Sequence, residues 1–331
     1  MEKIIFSLPI HERLDILVNQ LENINKFVPN NLVCVHISKG SGIDLGEAHE
    51  ASKNFNVIIN NERKDTGPHK GLMEAHISNF NLVSNKDFEY FAFLSSNELF
   101  IKSGLYNHMK NFDVGVQLES IKRCPDWHVF KRPIQYNDNL LNLLNYLNQN
   151  KKFGNIEDHE VSPKNIDSNS LIRLTKNYSR EIKSFLITKN ELKKPTFVYG
   201  GQAEGQFFRK KIFKEIARLY QQFFGKGCQS FETEEIIPST ICATLIEDLK
   251  ITKPFTLQNY SHKFVINKEL IEKILNDKFT LLAPKTDGNL WSAHYGPGNC
   301  STIFSLKRIN REFTESRNYI SSLKATSLSK L

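Results

Sequence analysis

No two cysteines stand in a C-x-x-C spacing; the five, Cys34, Cys124, Cys228, Cys242 and Cys300, are scattered and odd in number. A disulfide framework and a structural zinc site are both disfavoured by that arrangement, and a reducing compartment is favoured. Nowhere does the chain approach 18 consecutive apolar residues. Its N-terminal apolar run, Ile4 to Ile10, is seven residues long and lacks a following small-residue cleavage site, too short for a membrane span or a signal peptide. Glycine is sparse, at 16 of 331 residues, and the Gly-rich phosphate loops are missing. No G-x-G-x-x-G follows the first strand-like segment, where Pro9-Ile10-His11 stands instead, and there is neither a P-loop nor a G-x-S-x-G elbow. Dinucleotide-binding Rossmann proteins, P-loop nucleotidases and α/β-hydrolases are thereby set aside. Asp-x-Asp, the usual divalent-ion holder of sugar transferases, is absent throughout.

What is present suits an ordinary globular protein: 40% hydrophobic residues, 24% charged, and 24 phenylalanines for a core. The length suits one large α/β domain or two medium ones. The net charge of +8 admits an anionic partner such as a nucleotide or an acidic membrane surface, and also has the plainer meaning of solubility. Zinc-finger spacing and an arginine-rich arm are lacking, so a nucleic-acid partner is not expected.

Along the chain, "KIIFSLPIH", "LVCVHIS", "FNVIIN" and "YFAFLSS" read as buried strands, the first ended by Pro9. Between the first two, Leu14, Leu17, Val18, Leu21, Ile24 and Phe27 fall on one helical face. "KGSG" reads as a turn and "HKGLMEAHISNFNLVS" as a helix. The order strand, helix, strand, loop, strand, helix, strand predicts an open, largely parallel sheet flanked by helices. Ligands then meet the carboxyl ends of the strands, where the fourth strand stops at Ser95-Ser96-Asn97-Glu98. Farther on, "DNLLNLLNYLNQ" and "QFFRKKIFKEIARLYQQFF" read as helices. "CQSFETEEIIPSTICATLI" reads as a loop feeding a helix, and "STIFSLKRINREFTESRNYISSL" as a strand followed by a basic helix. The polar stretch 150–170 reads as a mobile segment or insertion.

The segment Leu94-Ser95-Ser96-Asn97-Glu98-Leu99-Phe100-Ile101-Lys102-Ser103 resembles, without a gap, the L-S-G-Q-D-F-P-I-K-S hallmark of the core-2/I-branching glycosyltransferase family, which includes protein xylosyltransferases. Val35-His36-Ile37-Ser38-Lys39 resembles that family's I-H-V-D-K-K strand end, with Ser38 in place of an acid that helps hold the nucleotide. Arg63 and the turn Thr66 to Gly71 lie where the family has an arginine and a W-G-G-like turn. Glu232-Thr233-Glu234-Glu235-Ile236-Ile237-Pro238-Ser239 resembles P-D-E-H-F-F-P-T. "YGGQAEGQFF" resembles the G-S-Q-W segment loosely.

The resemblance implies a single GT-A-type domain over 1–331, a Rossmann-like central mixed sheet flanked by helices. Residues 1–120 would form the nucleotide-sugar half, 121–170 a variable segment and 171–331 the acceptor and catalytic half. It implies an inverting, metal-independent transfer from a nucleotide sugar, most simply a UDP-sugar, to a hydroxyl of a glycan or lipid-linked glycan. A bacterial member would serve capsule or lipopolysaccharide synthesis. Glu234 is the base that the resemblance assigns, because a carboxylate must take the hydroxyl proton as attack proceeds. Without a metal or other cofactor, cations must absorb the leaving charge, and Lys307, Arg308 and Arg311 are the candidates. His11, His36, Ser38, Arg63, Ser96, Asn97 and Glu98 are expected to line the nucleotide-sugar site. Each has a plainer alternative. Glu234 could be a first-turn acid at a helix dipole, the three cations a solvated helix start, Glu98 a structural acid tying down its turn, and the histidines satisfied strand-end residues. Trp127 and Trp291 could stack on sugar but suit a core better, and Glu157 to Glu160 reads as solvated charge. A metal-dependent transferase using Glu98, and a non-catalytic glycan- or nucleotide-binding protein of the same fold, remain the alternatives. The expected location is the cytoplasm, with the basic surface available for peripheral contact with the inner membrane.

Overall fold

The computed structural model describes residues 2–67, 71–120, 138–150, 152, 198–225, 233–257, 266–276 and 300–325. Trp127, Trp291, Glu157 to Glu160 and most of the 121–170 segment lie outside those residues. The α/β expectation holds. A seven-stranded, mostly parallel sheet has the order β10-β6-β9-β4-β1-β2-β3, from β1 (Ile4–Ile10), β2 (Asn31–Ile37), β3 (Val57–Asn60), β4 (Tyr90–Phe93), β6 (Val114–Gly115), β9 (Phe207–Arg209) and β10 (Ile251–Thr252). β1 lies between β2 and β4, parallel to both, and β9 runs antiparallel to β4 and β6. A smaller sheet joins β11 (Thr256–Leu257), β12 (Ser305–Lys307) and β5 (Glu98–Phe100). A third pairs β7 (Glu119–Ser120) with β8 (Tyr199–Gly200).

Every residue of β1 and β2 is buried, which is why both read as unbroken apolar runs and not as alternations. Pro9 does not end β1. It pairs with His36 and lies two residues past Ser7, the last β1 residue paired with β4 (opposite Phe93) and the one that faces the same side. Its missing N–H therefore falls where β4 no longer runs alongside. Two helices flank these strands, α1 (Leu14–Phe27) and α3 (Leu72–Val83). The apolar side of α1 packs with one face of the sheet through Leu17, Leu21, Ile24 and Phe27. On the other face, α3 contributes Met73, Ile77 and Phe80 to a core shared with α5 (Asp138–Gln149), α6 (Lys210–Phe224) and α7 (Ile237–Leu245).

Three further expectations change. The loop read between the second and third strands holds a helix after the Lys39–Gly42 turn: α2 (Leu45–Ser52) is capped by Asp44, whose carboxylate accepts from the Gly46 and Glu47 amides. Phe207 to Arg209 are strand, not helix. Phe207 joins the core on one side of the sheet and Phe208 the core on the other, a period of two that the helical pattern after residue 210 concealed. The "basic helix" of the tail, α9 (Glu315–Ser322), buries Arg317 completely.

Candidate functional site

The carboxyl ends of β1, β2 and β4 open on one edge of the sheet, and three groups of predicted residues meet there. Beyond β2, Ser38 donates from its amide to the Ile10 carbonyl (2.8 Å), and its hydroxyl donates to the Thr66 carbonyl (2.8 Å) while accepting from the Thr66 amide (3.2 Å). The Arg63 guanidinium donates to the Ser38 carbonyl at 2.8 Å. His36 is fully buried at the last turn of β2 and accepts the Lys64 amide on Nε2 at 2.9 Å. That bond leaves the proton on Nδ1, and burial pushes the ring's pKa down to about 4, with Glu62 opposing. Ser38 thus ties β2 to the segment after β3. Around it three buried polar atoms lack a hydrogen-bond partner among the described residues: His36 Nδ1, Arg63 Nε and Thr66 Oγ1. Buried polar groups are usually satisfied, so these are ligand-binding candidates.

Beyond β1, His11 Nε2 lies 3.2 Å from Ser96 Oγ. The imidazole is held below its ordinary pKa, first by loss of water around the ring and then by Lys307 and Arg311, against the pull of Glu12. Glu12, almost wholly buried, accepts both guanidinium arms of Arg311 at 2.6 Å. Burial pushes its carboxyl up, but the bonds and charge of Arg311, helped by His11 and Arg13, hold it below the usual range. The neighbouring Arg13 pairs with Glu312 at 3.0 Å. Two adjacent residues on each side, Glu12-Arg13 and Arg311-Glu312, are therefore joined by oppositely directed ion pairs. They lay the loop after β12 across the exit of β1.

Beyond β4, the Ser95–Glu98 turn carries three side chains with different duties. Ser96 faces His11. Asn97 adopts a left-handed backbone (φ 59°), a conformation asparagine tolerates better than most residues. Its amide donates to the Ile309 carbonyl. Glu98 is 1% exposed and bonded entirely inward. One oxygen accepts from Ser305 Oγ and Thr256 Oγ1, both at 2.6 Å; the other accepts from the Ser95 amide at 3.0 Å and the Ser95 hydroxyl at 3.2 Å. Burial raises its pKa, the Ser305, Thr256 and Ser95 bonds pull it down, and Glu204 adds to the rise. In this structure Glu98 tethers β5, β11 and β12 together, the part of a structural acid.

The loop 201–206 closes the arrangement. Gly205 needs its positive φ (75°), and a Cβ there would come within 2.4 Å of the Thr256 amide. This close approach lets Gln202 donate to the Thr256 carbonyl at 2.7 Å. It also brings Glu204 into an ion pair with Lys307. At its other end, the Gly201 amide donates to the Glu235 carbonyl at 2.9 Å. One loop therefore links Lys307 to the 3-10 turn Thr233–Glu235, in which Glu234 is 5% exposed. Arg308 is exposed and left-handed (φ 65°).

Among the predicted residues, the fold brings His11 to Ser96 and Ser38 to Arg63, and sets Lys307 and Arg311 on one loop beside them. Glu12, Gln202, Glu204 and Arg317 were not singled out from the sequence. Glu12 lay beside His11, and the glycines at 201 and 205 marked a tightly packed loop. Arg317 gave no signal, because a charged residue in an amphipathic tail reads as solvated. Among the described residues, no three His, Cys, Asp or Glu side chains form a group able to hold a metal ion, and no helix is long and apolar enough to cross a membrane.

No protein-family profile matches the chain, so the core-2/I-branching resemblance rests on its motifs alone. The chain is similar to chondroitin synthase of Pasteurella multocida (strain Pm70), with 30% identity over 161 residues, 43% of this chain and 16% of that protein. It is similar to hyaluronan synthase of Pasteurella multocida, with 31% identity over 160 residues and the same two coverages. The match thus takes in about a sixth of the length of these relatives. Both are bacterial enzymes named for the polysaccharides they make, and a mostly parallel sheet flanked by helices is consistent with a GT-A-like glycosyltransferase.

Proposed function

We propose that the chain is a glycosyltransferase of bacterial capsule polysaccharide synthesis, acting by inversion and without a metal. The observation that carries this reading is the placement of the Lys307–Arg311 loop across the carboxyl ends of β1 and β4, beside the Ser95–Glu98 turn. The similarity to two bacterial polysaccharide synthases supports it. In this reading the nucleoside of the donor, most simply a UDP-sugar, lies by His36, Ser38 and Arg63, and its diphosphate by Lys307, Arg308 and Arg311. Ser96 and His11 face the diphosphate or the sugar. Glu98 and Asn97 shape the turn from behind.

The acceptor oxygen forms a bond to the anomeric carbon as the bond from that carbon to the diphosphate oxygen breaks. The bonding pair leaves with the nucleoside diphosphate, and Glu234 takes the hydroxyl proton. Lys307 and Arg311 are held by Glu204 and Glu12 in the free protein, so donor binding exchanges carboxylate partners for phosphate oxygens. The growing phosphate charge strengthens those bonds in the transition state.

The test is transfer from a panel of UDP-sugars to chondroitin and hyaluronan oligosaccharides in excess EDTA, for the wild type and Glu234→Gln. Wild-type turnover should persist. Glu234→Gln should keep its UDP affinity and lose turnover by ~100-fold, the range for a positioned base. Activity lost in EDTA and restored by manganese rejects metal independence. Undiminished turnover removes Glu234 from the role, and binding without transfer to any acceptor favours a non-catalytic carbohydrate-binding protein.

A further inference from the structure

Arg317 is the largest fully buried side chain among the described residues, and no carboxylate among those residues pairs with it. Its guanidinium donates to Asn19 Oδ1 of α1 at 2.6 Å, to the Asn310 carbonyl at 3.0 Å, and to Asn97 Oδ1. Burial lowers its pKa, while Asp15 and Glu12 oppose this from a distance. A buried charge satisfied only by amide and carbonyl oxygens is costly, and for packing alone an apolar side chain of similar volume would serve as well.

The geometry of its partners gives it a purpose. Asn97 donates to the Ile309 carbonyl and Arg317 to the Asn310 carbonyl, and the two side chains bond each other. Two consecutive peptide groups, between Ile309 and Arg311, are thereby fixed in direction. The same pair of side chains fixes the left-handed Asn97, whose neighbour Ser96 meets His11. One buried cation thus couples the Ser95–Glu98 turn to the cation-bearing loop.

We infer that Arg317 is a positioning residue that sets the Lys307–Arg311 loop and the Ser96–Asn97 turn in register for binding a nucleoside diphosphate. The ligand class rests on the function proposed above; the coupling of the two segments does not.

The experiment has two arms, on the full chain. Amide hydrogen exchange is measured for the wild type, Arg317→Met and Arg317→Lys. UDP affinity is measured by calorimetry on the same proteins. Arg317→Met should speed exchange in 95–98 and 307–312 together, leave the amides of β1 and β2 slow, and weaken UDP at least tenfold. Arg317→Lys, which keeps the charge but lacks the planar fork that reaches the three separate acceptors, should recover only part of the affinity. Should Arg317→Met not fold, Asn97→Gly serves instead, since it keeps the left-handed backbone and removes the Asn97–Arg317 bond together with the bond to the Ile309 carbonyl. Its expected result is the same paired loosening. Unchanged exchange in either segment overturns the coupling. Paired loosening with unchanged UDP affinity overturns the positioning role. A wild type that binds no UDP overturns the ligand class and the functional reading with it, while the exchange arm still decides the coupling.

Discussion

The two sides of the molecule are held together by different means. Around β1, β2 and β4 the chain is joined by backbone ladders and buried aromatic and aliphatic side chains. Phe91, for example, lies 5.2, 6.2 and 4.5 Å in ring centroid from Phe80, Phe93 and Phe213. Along the carboxyl edge the strands shrink to two or three residues, β5, β11 and β12. There, beside a smaller apolar cluster that includes Leu99, Leu257, Leu306, Ile309 and Ile320, side-chain polar bonds add a second layer of joining: Glu98 to Thr256 and Ser305, Lys307 to Glu204, Arg311 to Glu12, Arg317 to Asn97. The sheet side is stabilised by burial that is indifferent to direction. The edge is specified by directional bonds whose loss leaves buried polar groups unsatisfied. A site that must let a charged ligand in can exchange ion pairs more readily than it can repack a core.

Two substitutions bear on that contrast, the larger effect first. Phe91→Ala removes a ring with no exposed surface from the shared core and should cost ~3–5 kcal/mol in urea unfolding. The UDP affinity of the protein that remains folded should not change. A fall in affinity comparable to the loss of stability would mean that the core and the edge are not separable.

Glu98→Gln keeps the shape and removes the ionisable group, and should cost about 1 kcal/mol near pH 4. The wild-type carboxyl has a raised pKa in the folded state, so its contribution is fully present below the unfolded value of about 4.5 and is lost as pH rises through the folded value. The gap between variant and wild type should therefore narrow as pH rises from 4 to 8. The buried His36 and His76, pushed down to about 4 and about 3, act in the opposite direction, losing stability as pH falls below 6.5. They are common to both proteins and subtract out. A gap that widens with pH would mean the carboxylate is better satisfied than its burial suggests.

The same contrast explains what the sequence revealed. Unbroken apolar runs and three-four spacings announce the sheet side directly, because burial there depends on residue type alone. They placed β1 to β4 and the flanking α1 and α3, and pointed to the edge where Ser95 to Glu98 stand. Where a period is short the pattern misleads: Phe207 and Phe208 are two strand residues read as the start of a helix. The edge is less legible still. Glu98 and Arg317 are charged residues held by partners 158, 207 and 220 positions away, and no local pattern encodes so distant a bond. Lys307 and Arg311 were legible as a basic cluster, but their carboxylate partners Glu204 and Glu12 were visible only once the loop 201–206 and the exit of β1 had been placed.

If the carboxyl edge is where a nucleotide sugar is held, a crystal structure of the chain soaked with UDP will show it there. The diphosphate should lie within hydrogen-bond distance of Lys307 or Arg311, with Glu204 or Glu12 displaced from its cation and the base beside Ser38 and Arg63. UDP bound away from this edge, or a divalent ion bridging the protein and the diphosphate while both ion pairs stay closed, would contradict it.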